Sequence, residues 1–122
     1  MKLLFCIALT MFLLFSNAVA QIPVKMEDIG KHIGDSVKIC TRIYGARYLP
    51  RVQGSPTYLD AGEVSPNNLL IILIVKEIRG DFEDRPEMMY VYKNVCITGK
   101  VDLEKGKPRI IIKNPAQIVF QE

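Results

Sequence analysis

The chain is 122 residues long, with 49% hydrophobic and 24% charged residues and a formal net charge of +3. This length suits one domain with one modest hydrophobic core. The charge is too small to indicate nucleic-acid binding by itself, because proteins that bind mainly through charge are usually far more basic. Two cysteines beyond residue 20, Cys40 and Cys96, and one histidine are also a poor ligand set for zinc.

The first 20 residues have the features of a signal peptide. Lys2 precedes an apolar run over residues 3–15, which is shorter than the roughly 20 residues that a membrane span requires. Ala18-Val19-Ala20 is the small-x-small pattern that signal peptidase needs, so we expect cleavage before Gln21. The alternative is an uncleaved anchor. Residues 21–122 are then one mature domain of net charge +2, expected to be soluble, without a further membrane span, and periplasmic or released.

Period-two hydrophobicity predicts a long first strand near residues 35–49. Its apolar face is formed by alternate residues, Val37, Ile39, Thr41 and Ile43. This pattern is typical of a strand with one buried face. Gly45 interrupts the pattern and predicts a bulge or bend. A loop rich in turn residues follows, and then a short second strand over residues 57–62.

The remaining elements are a third strand, a polar connection and a hairpin. Residues 69–78 are apolar at nearly every position, which indicates a central strand covered on both faces. Residues 79–94 fit a short helix or an irregular connection, because Pro86 restricts any regular helix. Two further strands, 95–103 and 108–113, flank a turn in which Gly106 can take a positive φ. A short apolar segment ends the chain.

This order of elements is that of the OB-fold, an all-β, five-stranded barrel with one short helix. The first and fourth strands pair when such a barrel closes. That pairing places Cys40 and Cys96 on the same outer side of neighbouring strands, where a disulfide is geometrically allowed. Secretion would permit the disulfide. The alternatives are two separate thiols or an intermolecular bridge.

The chain also resembles a family of small bacterial OB-fold domains, which occur alone behind signal peptides or attached to secreted nuclease-like and phospholipase-D-like enzymes. The resemblance is carried by IGKHIGDSVKIC, GARYLPRVQGSPTYLDAG, PNNLLIILI and KNVCITGKVDLEKGKPRIIIKNPAQI, most of the mature chain. It implies a barrel that binds nucleic acid. The chain departs from the family at Val75-Lys76-Glu77, where members often carry tryptophan followed by glycine. It therefore lacks one aromatic platform for stacking a base.

Basic and aromatic residues around the loop after the first strand form the main candidate site. Cations contact phosphates, aromatic rings stack on bases, and this loop is a binding loop in many OB-folds. The candidate nucleic-acid-binding residues are Arg47, Tyr48, Arg51, Tyr58, Lys76, Arg79, Lys105 and Lys107. The alternative is a solvated loop with Tyr48 packed on the barrel rim, and lysines that keep the last turn soluble.

No residue pattern indicates catalysis, a metal or a cofactor. The sequence contains no nucleophile elbow, phosphate-binding loop or zinc-protease motif. The acids between residues 81 and 87 lack the spacing of a calcium loop, so they predict a solvated acidic face. His32 is expected to have a surface or capping role.

The sequence therefore predicts a secreted or periplasmic, non-enzymatic OB-fold binding module. Its expected partner is single-stranded DNA or RNA, or another acidic polymer. The alternative is a structural or stress-associated envelope protein that binds a small ligand or a protein partner. The missing tryptophan and the small net charge favour this alternative. A hydrolase is the third reading, and the sequence contains no residues to perform its chemistry.

Overall fold

The structure, a computed structural model, describes residues 20–122. The predicted signal peptide therefore lies outside the described residues, apart from Ala20, and remains a prediction. The strands are β1 Ile22–Pro23, β2 Ser36–Tyr48, β3 Thr57–Ala61, β4 Leu70–Ile74, β5 Asn94–Glu104, β6 Lys107–Ile112 and β7 Ile118–Phe120. One helical turn, α1, spans Pro86–Met89, and 3-10 turns span Met26–His32, Lys76–Asp81 and Pro115–Gln117.

Five of these strands close a barrel, which confirms the predicted all-β OB-fold. Strand β2 pairs antiparallel with β3, β3 with β4, and β5 with β6, while β4 and β6 run parallel. The antiparallel pairing of β2 with β5 closes the barrel. Two short strands extend it, because β1 lies beside β2 and β7 lies beside β5. This strand order is the one that an OB-fold requires.

Alternation along β2 decides which of its side chains reach the core. Val37, Ile39 and Ile43 are at most 1% exposed, whereas Cys40 and Arg42 lie on the outer face. The core continues around the barrel with buried aliphatic side chains from β3, β4, β5 and β6. Burial of this single apolar face supplies the main driving force for closing the barrel.

The bulge predicted at Gly45 is present. The pairing of β2 with β3 shifts register between Ile43 and Gly45, and Gly45 lies opposite Asp60. A Cβ atom at Gly45 would lie 2.7 Å from the Asp60 Oδ2 atom. The absence of a side chain at Gly45 therefore makes room for the buried carboxylate of Asp60.

Strand β4 is central, but only one of its faces is fully buried. Its core face consists of Leu70, Ile72 and Ile74, while Ile71 and Leu73 on the other face are half-buried. The prediction of a strand over residues 69–78 covered on both faces is therefore wrong. The outer face of β4 is covered only in part, and a 3-10 turn begins at Lys76. An uninterrupted apolar run hid the period-two pattern of a strand with one open face.

The β5–β6 hairpin and the cysteine pair agree with the predictions. Lys105 and Gly106 form a two-residue turn with positive φ at both positions, 50° and 80°. Cys40 lies directly opposite Cys96 across β2 and β5, and the two form a disulfide on the outer face of the barrel. The intramolecular bridge is thus the correct choice among the alternatives. Within residues 20–122, no helix is long and apolar enough to cross a membrane.

Candidate nucleic-acid interface

A cleft of about 430 Å³ opens on the outer side of β3 and β4, between three loops. We call it the loop cleft. Tyr58 and Ile71 contribute from the strands, and the β5–β6 turn contributes Glu104 and Lys105. The remaining lining side chains come from the end of β2, its following loop, the β3–β4 loop and the start of β6: Arg47, Leu49, Val52, Ser65, Pro66, Asn68 and Lys107. OB-folds bind their ligands on this face and between these loops.

The structure brings together four of the eight predicted binding residues. Those in the loop cleft are Arg47, Tyr58, Lys105 and Lys107. Three others line a separate depression beside the 3-10 turn that follows β4, namely Tyr48, Lys76 and Arg79. Arg51 is exposed in the loop between β2 and β3 and lines neither surface. The predicted set therefore belongs to two surfaces of the barrel.

Lys107 joins the hairpin to the β3–β4 loop. Its ammonium group donates hydrogen bonds to the Pro66 carbonyl oxygen and to Asn68 Oδ1, both at 2.8 Å. Asn68 in turn donates from Nδ2 to Asp60 Oδ1 at 3.0 Å, and both residues are at most 5% exposed. Because buried polar groups need such partners, this network holds one wall of the loop cleft in place.

Arg47 lies at the rim of the loop cleft, and its contacts within the protein are weaker than those of Lys107. Its Nη2 atom is 3.7 Å from Asp60 Oδ1, and its side chain is 53% exposed. The guanidinium carbon also lies 5.6 Å from the centre of the Tyr58 ring, within cation–π range. No hydrogen bond between residues 20–122 fixes the Arg47 guanidinium, so this cation can turn toward a ligand.

Tyr58 is tethered across the loop cleft. Its hydroxyl donates to Glu104 Oε1 at 2.9 Å. Burial, followed by this hydrogen bond to Glu104, raises the pKa of the Tyr58 phenol above its ordinary value. The phenol thus stays neutral and keeps donating at physiological pH. The Tyr58 ring is consequently held in one orientation before any ligand arrives.

Arg79 occupies a different environment from Arg47. Its guanidinium donates to both carboxylate oxygens of Glu87 at 2.7 Å and to Thr57 Oγ1 at 2.8 Å. The same group stacks 3.6 Å from the centre of the Tyr48 ring. The hydrogen bonds between Arg79 and Glu87 raise the pKa of the Arg79 guanidinium and lower the pKa of the Glu87 carboxyl group. Arg79 therefore ties the 3-10 turn after β4 to α1, β2 and β3.

The prediction of a solvated acidic face over residues 81–87 needs one correction. Asp81, Glu83 and Asp84 are exposed as expected. Glu87 is not, because its side chain is only 16% exposed and forms the ion pair with Arg79. No local pattern indicated this ion pair, since Arg79 and Glu87 lie on opposite sides of Pro86.

Three predicted cations have neither an acidic partner nor a side-chain hydrogen bond among residues 20–122: Arg51, Lys76 and Lys105. All three are exposed. Only Lys105 lies in the loop cleft, where it stands at the tip of the hairpin. Lys105 and Arg47 are thus the cations of the cleft that are most available to a phosphate.

The described part of the chain contains no group of three or more His, Cys, Asp or Glu side chains placed to hold a metal ion. His32 pairs through Nδ1 with Asp35 Oδ2 at 3.1 Å, near the end of the first 3-10 turn. This local surface contact is the role predicted for it.

Sequence reasoning missed two residues that line the loop cleft, Asn68 and Glu104, and the buried Asp60 behind it. Asp60 and Asn68 are buried polar residues whose partners come from other strands and loops, and Glu104 was read only as part of a turn. Their roles depend on the register between strands. The glycine at position 45 was the one available signal, because a bulge opposite a strand makes room for a side chain.

No family model matches the chain, and no curated protein matches it. Among solved structures, 23 chains match. One is a crystal structure assigned as an aspartyl-tRNA synthetase from Leishmania major Friedlin, with a TM-score of 0.52 and 11% sequence identity over 86% of this chain. The chain spans 21% of the length of that protein. At this identity the likeness supports the fold alone.

Proposed function

We propose that residues 21–122 form a non-enzymatic binding module for single-stranded nucleic acid or another acidic polymer, with the loop cleft as its site. One observation carries the proposal. Two available cations, Arg47 and Lys105, converge with the tethered ring of Tyr58 on the loop-bearing face of the barrel. Single-stranded nucleic acid needs this combination, because cations follow its backbone and rings stack on its bases.

In this proposal the rim of the cleft binds the phosphates of the ligand, and the floor of the cleft binds its bases. Arg47 and Lys105 at the rim would contact phosphates, while Tyr58 and Ile71 offer a base an aromatic and an aliphatic surface. A stacked base contributes about 1–3 kcal/mol. Because the hydrogen bond to Glu104 already orders the Tyr58 ring, little entropy is lost when a base stacks on it.

Nucleic acid is the first ligand to test for two reasons. The resemblance to secreted OB-fold domains attached to nuclease-like enzymes supports it. A solved structure of the same fold also carries a name that refers to tRNA. Both are arguments by analogy with fold, so the site residues have to decide between ligands.

We further propose that residues 1–20 direct export and that the mature module works in the periplasm or outside the cell. The Cys40–Cys96 disulfide supports this proposal, because such bonds form and persist in oxidising compartments.

A second candidate function is that of an envelope protein that binds a protein partner or a small apolar ligand. Apolar surface at β7 favours it, since Val119 and Phe120 are about half exposed. They border a depression of about 330 Å³ that also contacts Phe82 and Tyr90. The Tyr90 ring lies 5.2 Å from the Phe120 ring, which makes this an aromatic surface on another part of the barrel.

Fluorescence anisotropy of residues 21–122 with labelled single-stranded DNA and RNA at 50 and 200 mM salt tests the first proposal. Phosphate contacts from Arg47 and Lys105 give a salt slope of about −1.4, so affinity should fall about sevenfold over this range. Replacing Arg47 and Lys105 with methionine together should bring the slope close to zero. Lys76→Met is the matched control, because Lys76 is an exposed cation of the other depression.

The outcomes separate the alternatives. Absence of micromolar binding at 50 mM salt would remove the nucleic-acid proposal and direct the search to the β7 surface. Equal losses from Lys76→Met and from the double variant would show that the loop cleft is not the site. Circular dichroism spectra that match the parent protein would establish that each variant is folded.

A further inference from the structure

We infer that Glu104 makes the loop cleft selective for bases that carry an exocyclic amino group, so that it binds cytosine more tightly than uracil. This inference rests on the proposed nucleic-acid function and specifies which strands the site prefers. It begins from an acidic side chain in a site whose other charged groups are basic: Arg47, Lys105 and Lys107.

Only one of the two carboxylate oxygens of Glu104 is occupied. Oε1 accepts the hydrogen bond from the Tyr58 hydroxyl at 2.9 Å and lies 3.7 Å from Arg109 Nη1. Oε2 accepts no hydrogen bond from residues 20–122. No buried side-chain nitrogen or oxygen in this part of the chain lacks a partner, so Oε2 is open to solvent. The Glu104 side chain as a whole is 25% exposed and lines the cleft.

The surroundings hold this carboxylate in a fixed direction. Arg109 is itself anchored, because it donates to both carboxylate oxygens of Asp102 at 2.9 and 2.8 Å. Tyr58 and Arg109 therefore both interact with Oε1 and leave Oε2 as the available acceptor. A preorganised acceptor discriminates between ligands better than a mobile one, because its direction is settled before binding.

The chemistry of a carboxylate determines which ligand groups can form a hydrogen bond with Oε2. An ionised carboxylate only accepts hydrogen bonds, so it repels a phosphate and requires a donor. Cytosine presents its N4 amino group, which is the group that glutamate recognises on that base. Uracil presents O4, another acceptor, in the same place. A site built around a hydrogen bond rejects the analogue that lacks the donor, because its own polar group is left unpaired.

The cleanest test compares labelled 12-nucleotide oligo-dC and oligo-dU by anisotropy at pH 7.5 and 50 mM salt. The two strands have the same length, charge and ring size, and their bases differ at position 4 and in the proton at N3. We expect oligo-dC to bind about tenfold more tightly, in line with one hydrogen bond to a charged group. In Glu104→Gln the side chain still accepts from Tyr58, but an amide N–H₂ replaces Oε2, so the preference should disappear or reverse. Glu63→Gln, outside the lining of the cleft, is the matched control and should keep it.

Each result bears on the inference separately from the proposed function. Equal binding of both strands by the parent protein would overturn the inference and leave the binding function standing. A cytosine preference that survives in Glu104→Gln would also overturn it, because another group would then be responsible. Failure of both strands to bind would remove the nucleic-acid proposal and the inference with it. The comparison in the parent protein does not depend on any variant folding.

Discussion

Replacing Arg79 with methionine should destabilise the barrel, because this cation is a structural link. Arg79 donates two hydrogen bonds to Glu87 and one to Thr57, and its guanidinium stacks on Tyr48. The side chains of Arg79 and Glu87 are only 17% and 16% exposed, so solvent screens the pair less than it screens a surface ion pair. Methionine keeps much of the apolar stem but leaves Glu87 unpaired. We expect the free energy of unfolding to fall by about 3 kcal/mol.

Urea denaturation followed by circular dichroism measures this loss, and its pH dependence provides a second check. Arg79 lowers the pKa of Glu87 in the folded protein, so the ion pair stabilises fully above the unfolded pKa of about 4.3. Its contribution is lost as the pH falls through the lowered folded pKa. The difference in stability between the parent protein and Arg79→Met should therefore be largest near pH 7 and shrink toward pH 3.

Lys76→Met serves as the control, because Lys76 is an exposed cation in the same 3-10 turn. Its substitution should change the free energy of unfolding by no more than about 0.5 kcal/mol. Equal urea midpoints for Arg79→Met and the parent protein at pH 7 would refute the structural role. If Arg79→Met then also lost nucleic-acid affinity, Arg79 would return to the binding site as the sequence predicted.

Two further substitutions test the barrel itself. Replacing both Cys40 and Cys96 with serine removes a disulfide between residues 56 positions apart. The chain-entropy model predicts that the free energy of unfolding, measured by urea denaturation, falls by about 4 kcal/mol. A decrease of less than about 1 kcal/mol would contradict that model here. Gly45→Ala places a Cβ atom 2.7 Å from the Asp60 carboxylate and should lower stability by about 1–3 kcal/mol in a thermal melt. Gly30→Ala, where a Cβ would meet nothing within 4 Å, is its control, and equal melting temperatures for the two would refute the packing argument.

The barrel could be predicted because its signals are local. Alternation over Val37, Ile39 and Ile43 marked the buried face of β2, and Gly45 marked its bulge. Gly106 marked the hairpin turn. Once the order of elements indicated an OB-fold, the pairing of β2 with β5 followed from the fold, and this pairing made the disulfide geometrically possible.

The site could be predicted only in part, because its contacts are distant in sequence. Lys107 reaches acceptors 41 and 39 residues away, and Arg79 reaches Thr57 from 22 residues away. Neither set of hydrogen bonds is visible in the local composition or in the hydrophobic periodicity of the sequence. The sequence therefore identified the basic residues but could not say which of them were already neutralised. The short strands β1 and β7 were missed for a related reason, since two or three residues are too few for a periodic pattern.

Whether a cationic side chain can bind a ligand depends on which contacts within the protein it must first break. For Arg79, turning toward a phosphate would break three hydrogen bonds and leave Glu87 without its partner. Arg47 would break no hydrogen bond and would give up only an attraction to Asp60 across 3.7 Å and its contact with the Tyr58 ring. The carboxylate of Asp60 would still accept from Asn68, which Lys107 holds in turn. The network behind the loop cleft thus keeps one hydrogen bond on the buried carboxylate of Asp60 whether or not Arg47 stays with it, so a phosphate can recruit Arg47 more readily than Arg79.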